Sequence, residues 1–272
     1  MILSSGSSST LGTAPLVLAL VAALAYAMAA LSGDARARWA TPALLLAGLL
    51  HAVLLALDIG GSGRVEPGAR LGFGPVLSLA VWLMIAVHAI ESRFVPLPAV
   101  RRVLAVAGAV VVLLAWAFPG EVRPLESPWA PLHWMLGVAS YGLFGAAVLH
   151  AAMLDAAERQ MRLRALPAPA PLGMPLLRLE RLTFRFVEAG FVVLTLALVL
   201  GLVTTTHWRW DHKTVFSLLG WAVFAALLAG RMLRGWRGKR ATRWLYAGTV
   251  LLLLGYAGSR FVFEVVLGRS AG

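Results

Sequence analysis

The densest group of chemically active side chains lies in a short polar segment between two long apolar stretches. Its residues are Thr204-Thr205-Thr206-His207-Trp208-Arg209-Trp210-Asp211-His212-Lys213. Imidazoles are axial ligands of porphyrin iron, and large aromatic faces pack against a planar macrocycle. The segment therefore indicates a haem-binding surface, in which Trp208 and Trp210 contact the ring and a flanking histidine binds the iron.

An interfacial aromatic belt is the alternative explanation of this segment. Tryptophan is enriched at the depth of lipid headgroups, and neighbouring cations suit the same depth. A belt explains the tryptophans, but it does not explain a histidine on each side of them with an aspartate between. Asp211 also has an alternative role, which we favour: its carboxylate can cap the next helix at its N-terminus and so orient the ring of His212.

His133 is the preferred partner of His212 as an iron ligand. Each of the two opens an apolar helix, directly after loops that the charge distribution places on the same side of the membrane. Bis-imidazole ligation needs two histidines at matched depth on different helices, and this pair meets that condition. His207 is the substitute partner. Candidate cations for the haem propionates are Arg209, Lys213 and Arg260.

The remaining three histidines lie within apolar segments. His88 and His150 each lie about four residues from the end of their helix, at the membrane face opposite to His133 and His212. At 1.5 Å per residue this is a depth of about 6 Å. They could form an inner haem site or entry point, but two unrelated histidines near an interface is the interpretation we favour. His51 lies alone in the middle of its segment, and we expect a structural role for it.

These residues are positioned by apolar segments long enough to cross a bilayer. A helix needs about 20 residues at 1.5 Å each to cross about 30 Å of hydrocarbon. Eight segments qualify, roughly residues 14–31, 39–57, 72–90, 100–118, 132–154, 182–203, 212–233 and 244–267. The sequence therefore predicts an all-α polytopic membrane protein, a bundle of about eight transmembrane helices. We divide it into two four-helix halves, residues 1–130 and 131–272.

Composition supports a membrane protein and excludes several other classes. Hydrophobic residues make up 60% of the 272 and charged residues only 13%, about half the share in a soluble domain. The chain has no cysteine, so it carries no disulfide, thiolate metal site or thiol redox step of its own. The net charge of +12 lies in short loops, where it meets lipid and sets orientation, so we expect no nucleic-acid partner.

The basic residues also predict the orientation. Loops one, three, five and seven contain sixteen Lys and Arg residues, whereas loops two, four and six contain five. By the positive-inside rule the odd loops are cytoplasmic. Both termini and the segment around Trp208 and Trp210 are then expected at the outer, periplasmic face.

The second half resembles a known family. Trp208 to Thr214, with Leu218-Leu219-Gly220-Trp221, is similar to the tryptophan-rich WWD signature of cytochrome c assembly proteins of the CcsA and CcmC type. The HemX-like branch of that superfamily is more similar still. The supporting motifs are Pro131-Leu132-His133, Ser140-Tyr141, Glu180-Arg181-Leu182-Thr183-Phe184, Gly235-Trp236-Arg237-Gly238 and Tyr256-Ala257-Gly258-Ser259-Arg260-Phe261-Val262 with Glu264. The resemblance covers about residues 131–267.

The resemblance implies a haem-handling protein with an outward-facing WWD loop, in which His133 matches the outer-face histidine before that loop. The group's motif has proline where this chain has His212. Two further histidines of the group fall near Ser259 or Arg260 and near Gly230, where this chain has none. The resemblance therefore implies haem binding or delivery rather than haem lyase catalysis, and no catalytic residue is assigned.

Together these observations predict a multi-pass haem-binding protein of the bacterial inner membrane. We expect it to hold or translocate haem b at the outer face for cytochrome c maturation or haem homeostasis. The expected partners are haem, the lipid bilayer, and other cytochrome c assembly proteins or an apocytochrome c. Two alternatives stay open. A small-molecule transporter would show paired Gly or Pro interruptions at the midplane, and an electron-carrying b-type cytochrome would keep haem at the depth of His88 and His150.

Overall fold

The computed structural model describes residues 10–32, 37–59, 68–70, 72–93, 97–120, 122–124, 128–162, 175–204, 210–258 and 261. In these residues the chain forms eight α-helices, two short strands and one π-helical segment. The elements are α1 Thr10–Leu31, α2 Ala37–Ile59, β1 Gly68–Arg70, α3 Phe73–Glu91, α4 Pro98–Ala117, β2 Val122–Pro124, α5 Ala130–Arg162, α6 Leu176–Thr204, α7 His212–Arg234, α8 Gly238–Leu253 and the π-helical segment Leu254–Gly258.

Six helices, α2 to α7, are long and apolar enough to cross a membrane, as judged from length and composition over the described residues. The apolar part of α1, Pro15–Leu31, is shorter, and α8 has 16 residues. Leucines such as Leu24, Leu49 and Leu202 are more than half exposed, as lipid-facing side chains are. The prediction of an all-α polytopic membrane protein is confirmed, with two three-residue strands in addition.

Several helices extend beyond the apolar segments that predicted them. Helix α5 has 33 residues, which is about 50 Å and longer than the hydrocarbon core, so the predicted helical extension past Leu154 is present. Helix α6 begins at Leu176 and α8 at Gly238, each six residues before its predicted span. Apolar residues mark only the part of a helix that lies in lipid. The backbone hydrogen bonds of the helix continue through the basic residues of its first turns, so the helix is longer than its apolar span.

The last predicted span, residues 244–267, does not continue as a regular α-helix. Its α-helical geometry ends at Leu253 and passes into the π-helical segment.

The turn between α7 and α8 is made at Gly235. This residue ends α7 in the left-handed region, at φ 62°, where glycine carries no steric penalty. Arg237 then has extended backbone, and α8 begins at the next residue.

The first compact unit consists of Met1–Ala89 and Pro98–Pro124. In it α1 packs against α2 and α4. The ring of Tyr26, which is fully buried, lies where Gly108 of α4 has no side chain, and a Cβ there would be 2.8 Å from the tyrosine Cζ. Strands β1 and β2 pair antiparallel, with Ala69 opposite Arg123, so the connections after α2 and after α4 lie at the same end of this unit.

The second unit consists of Ile90–Leu97 and Leu125–Gly272. Helix α5 packs against α6 and α8, and α7 packs against α8 and α6. The rings of Phe144 and Phe224 stack at 3.8 Å in the centre of its core. This unit contains most of the residues that the sequence proposed for a cofactor.

Candidate functional site

His133 lies in the first turn of α5 and is fixed by α6. Its backbone N–H donates to Trp129 O at 3.0 Å, and its Nδ1 lies 2.9 Å from Ala197 O. A carbonyl can only accept, so Nδ1 must carry the proton of this hydrogen bond. In the neutral ring Nε2 then holds the lone pair. Metal-binding histidines commonly have this arrangement, in which one nitrogen donates to the protein and the other binds the metal.

Gly201 provides the recess in which the His133 ring lies. A Cβ at Gly201 would be 2.8 Å from His133 Cε1 and 3.3 Å from Nδ1, closer than side chains tolerate. Ala197 and Gly201 are four residues apart and therefore lie on one face of α6. That face thus offers His133 both an acceptor and space, a role that the sequence analysis did not assign to either residue.

His212 is the first residue of α7, and Asp211 caps that helix. The Asp211 carboxylate accepts a hydrogen bond from Thr214 N at 2.8 Å, so the predicted capping role is confirmed. Partial burial alone would raise the pKa of the Asp211 carboxyl. The bonds from Thr214 and the charges of Lys213 and His212 outweigh burial and hold that pKa below its ordinary value. His212 itself is exposed, one residue beyond the cap.

The end of α8 and the π-helical segment that follows it contact the helices that carry His133 and His212. Tyr141, two turns after His133 on α5, donates its hydroxyl proton to Leu252 O at 2.6 Å. Gly255 of the segment lies against the first turns of α7, where a Cβ would be 3.1 Å from Phe216 Cβ and 3.6 Å from Lys213 O. Single-turn π segments are frequent at functional sites, and this one supports the start of α7.

Aromatic side chains flank both histidines. Trp210, just before the cap of α7, is 72% exposed, and Trp129, just before α5, is 57% exposed. Trp129 was not among the predicted site residues, although it lies two residues before Pro131 of the Pro131-Leu132-His133 motif. His207, Trp208, Arg209 and Arg260 lie outside the described residues. Their predicted contacts, and the pairing of His133 with His212 on one iron, stay predictions.

Comparison with known proteins decides the family. The sequence model described as "Cytochrome C assembly protein" matches residues 73–267, well over half of the chain. This chain belongs to the cytochrome c assembly protein family. The match begins at α3 and so extends further toward the N-terminus than the motifs of the second half. Assignment to the HemX-like branch stays a prediction.

Two relatives match this chain over different shares of its length. "Inner membrane protein YpjD" of Escherichia coli (strain K12) is 31% identical over 238 residues, 84% of this chain and 88% of the relative. "Cytochrome c biogenesis protein CcsA" of Synechococcus sp. (strain JA-3-3Ab) is 36% identical over 107 residues, 35% of this chain. That match spans only 31% of the CcsA protein. No solved structure matches the chain.

The other histidines of this family member have different surroundings. His51 is buried in the first unit, with Nδ1 2.9 Å from Tyr26 Oη and Nε2 2.6 Å from Ser78 Oγ. Both ring nitrogens are therefore engaged, and one ring joins α1, α2 and α3. This supports the structural role expected for His51.

His150 is buried in the second unit between two acceptors. Its Nδ1 lies 2.8 Å from Ala146 O, and its Nε2 lies 3.3 Å from a carboxylate oxygen of Glu91. A ring with an acceptor on each side has no lone pair turned toward a metal. His88 is buried in the first unit. Its pairing with His150 as a second haem site stays a prediction, and the surroundings of His150 do not favour it.

The position at which other family members were expected to carry an inner histidine is Gly230. The Trp236 ring fills the space that a side chain there would need. A histidine could not be accommodated at this position without moving the tryptophan. Among the residues that the structure describes, no group of three or more His, Cys, Asp or Glu side chains is arranged to hold a metal ion.

Proposed function

We propose that this protein binds haem b at the outer face of the inner membrane and holds or translocates it for cytochrome c maturation or haem homeostasis. His133 and His212 are the axial ligands in this proposal. Support comes from membership of the cytochrome c assembly family and from relatives named for cytochrome c biogenesis and for the inner membrane. The partners in the proposal are haem, the bilayer, and an apocytochrome c or other assembly proteins.

The observation that carries the proposal is the hydrogen bond from His133 Nδ1 to Ala197 O. It fixes the tautomer in which Nε2 can bind iron, and the Gly201 recess fits the ring in that orientation. Haem, when bound, supplies an iron with two axial positions for imidazole nitrogens. The His133 ring is held for this role by Ala197 O, and Gly201 leaves the space that the ring occupies.

The second ligand is presented by the start of α7. Asp211 fixes the first turn through Thr214, and the π-helical segment supports the same turn at Lys213. The exposed indole of Trp210 offers an aromatic face, and Lys213 offers a cation for a propionate. These residues bind and orient, and the proposal assigns no bond-breaking step to them.

The test is an absorption spectrum of protein purified from haem-replete cells. We expect a Soret band in the wild type and its loss or strong reduction in His133→Ala and His212→Ala. His88→Ala is the control and should keep the band. Added imidazole should restore the band in His133→Gly, because a free ligand can replace a missing axial ligand but not a missing structural contact.

Three outcomes would change the proposal. A Soret band absent from every preparation would overturn haem binding. Loss of the band in His207→Ala with its retention in His212→Ala would make His207 the second ligand. Loss in His88→Ala with retention in His133→Ala would move the proposed site to the depth of His88 and His150 and favour an electron-carrying b-type cytochrome.

A further inference from the structure

The second unit contains a cavity at the end opposite to His133. It lies between the end of α5, the start of α6 and the turn from α7 to α8, and its volume is about 790 Å³. Its lining residues are Leu154, Glu158, Met161, Leu176, Leu177, Glu180, Arg237, Gly238, Lys239 and Arg240. Its lining thus combines apolar side chains from α5 and α6 with charged side chains, and it is remote from the proposed haem site.

Two apolar residues that line the cavity are exposed at its rim. Leu154 is buried, but Met161 is 59% exposed and Leu177 is 66% exposed. Both residues lie on the helical extensions beyond the apolar spans of α5 and α6, at headgroup depth, where an exposed apolar side chain packs against the glycerol end of an acyl chain. A ligand with a hydrocarbon tail could therefore enter from the bilayer with its tail against these side chains.

Two cations that line the cavity, Arg237 and Arg240, are held by contacts within the protein. Arg237 donates from Nε and Nη2 to the two Glu180 oxygens, each at 3.0 Å, and Arg231 Nη1 reaches the same carboxylate at 3.3 Å. The Glu180 carboxylate raises the pKa of Arg237, so the guanidinium stays charged. The Arg240 guanidinium lies 4.3 Å from the centre of the Trp236 ring. Fixed cations bind an anion at a lower entropic cost than mobile ones.

The balance of charge in the cavity is positive. Among the described lining residues, Arg237, Lys239 and Arg240 are cationic and only Glu158 and Glu180 are acidic, and Glu180 is paired with both Arg237 and Arg231. The α8 helix begins here with no acidic residue in its first turn and no side-chain cap at Arg237. Glu158 Oε1 would be 3.5 Å from a Cβ at Gly238, so this acid lies beside the helix start and would repel an incoming anion.

We propose that this cavity binds an anionic glycerophospholipid, with its phosphate against Lys239 and Arg240 and an acyl chain along Met161 and Leu177. Basic pockets between membrane helices on the cytoplasmic side are characteristic sites for acidic headgroups. Phosphate is the group recognised, and the apolar wall distinguishes a lipid from free phosphate. This inference is independent of haem.

The test measures lipid binding to the delipidated full-length protein in detergent, by native mass spectrometry and by thermal unfolding. Phosphatidylglycerol should bind and raise the melting temperature, whereas phosphatidylcholine and inorganic phosphate at equal concentration should not. Lys239→Gln with Arg240→Gln should lower the affinity about tenfold, because each cation near a lipid surface contributes measurably. Glu158→Gln should raise the affinity severalfold, because it removes the repelling charge.

The matched control is Arg234→Gln with Arg243→Gln, which removes the same charge from exposed residues of the same turn and helix that do not line the cavity. It should leave phosphatidylglycerol affinity unchanged. Equal loss in the control pair would show a diffuse charge effect and overturn the site. Equal binding of phosphatidylcholine, or the same stabilisation by inorganic phosphate alone, would overturn recognition of an anionic lipid.

Discussion

At the scale of single residues, the hydrogen bonds of a histidine decide what it can do. His51 has a hydroxyl on each nitrogen, and His150 has an acceptor near each nitrogen. His133 has one nitrogen on a carbonyl, which leaves the other for a ligand. The sequence identifies all three as intramembrane or interfacial histidines, but only the partners of each ring separate a structural histidine from a candidate ligand.

The contact between Gly201 and His133 gives a direct prediction. Gly201→Ala adds a Cβ 2.8 Å from His133 Cε1, so the imidazole must move out of its recess. If His133 binds haem, the Soret band should weaken or shift while the protein still folds. Gly137→Ala is the control, because a Cβ at Gly137, one turn after His133 on α5, meets nothing within 4 Å. It should keep the band and gain up to about 1 kcal/mol of helix stability.

An unchanged spectrum in Gly201→Ala would show that the position of the His133 ring does not matter for haem. A folding defect would be recognised separately, from a lower melting temperature in detergent than that of Gly137→Ala.

The buried Tyr26 and Ser78 hydroxyls on His51 give a second prediction. Tyr26→Phe keeps the ring in the Gly108 recess but leaves His51 Nδ1 without its partner. We expect a loss of about 1 kcal/mol in unfolding free energy, because hydrogen bonds between membrane helices are of modest strength. Ser78→Ala should cost a similar amount, and the double variant should show coupling because both hydroxyls share one imidazole.

Thermal or denaturant unfolding in detergent would measure these losses. The absorption spectrum should not change in either variant, since His51 lies in the other unit from His133. A lost Soret band with unchanged stability would contradict the structural role of His51.

At the scale of helices, the ends were harder to predict than the spans. Long apolar stretches identified every helix, and the order Asp211-His212 correctly predicted the start of α7. The early start of α6 at Leu176 and the change to π-helix after Leu253 were not predicted. The first continues through charged residues that hydropathy excludes, and the second begins beside Leu252, whose carbonyl accepts a hydrogen bond from Tyr141, 111 residues away in the chain.

The same limit applies to the candidate site. Residue types and motifs identified His133, Trp210, Asp211 and His212, because these side chains carry recognisable chemistry. They did not identify Ala197, whose contribution is a backbone carbonyl, or Gly201, whose contribution is the absence of a side chain. Such contributions exist only once α5 and α6 are packed together.

The cap of α7 predicts a specific pH dependence. The folded pKa of Asp211 lies below its ordinary value, so the ionised carboxylate stabilises the fold at neutral pH, and this contribution is lost as the pH falls below about 4 through that lowered pKa. Asp211→Asn should keep the acceptor for Thr214 but remove the titration. Asp211→Ala should lose about 1 kcal/mol at pH 7.

Melting temperatures between pH 7 and pH 3 would check this. The difference between wild type and Asp211→Asn at neutral pH should shrink as the pH falls, whereas other carboxylates affect both proteins alike. A constant difference across the range would mean that Asp211 does not titrate with folding.

At the scale of the whole molecule, the distribution of charge is the strongest signal that the sequence offers beyond apolarity. The family match does not depend on it, nor do the six described helices that are long and apolar enough to cross a membrane, but the orientation of the chain in the membrane does. Sixteen basic residues in the odd loops against five in the even loops predict both termini outside. The haem proposal requires that orientation, since it places Trp129, His133 and Trp210 at the outer face and the lipid cavity at the cytoplasmic face.

The absence of native cysteine makes this orientation directly measurable. Trp129→Cys, at the exposed start of α5, should react with a membrane-impermeant maleimide in intact spheroplasts, because the predicted topology places it outside. Arg234→Cys, at the exposed end of α7, should react only after the membrane is permeabilised. The wild type, which has no thiol, gives the background. The reverse pattern would place His133 in the cytoplasm and turn the proposed site into one that takes haem from inside the cell. Labelling of both before permeabilisation would contradict a span for at least one of α5, α6 and α7.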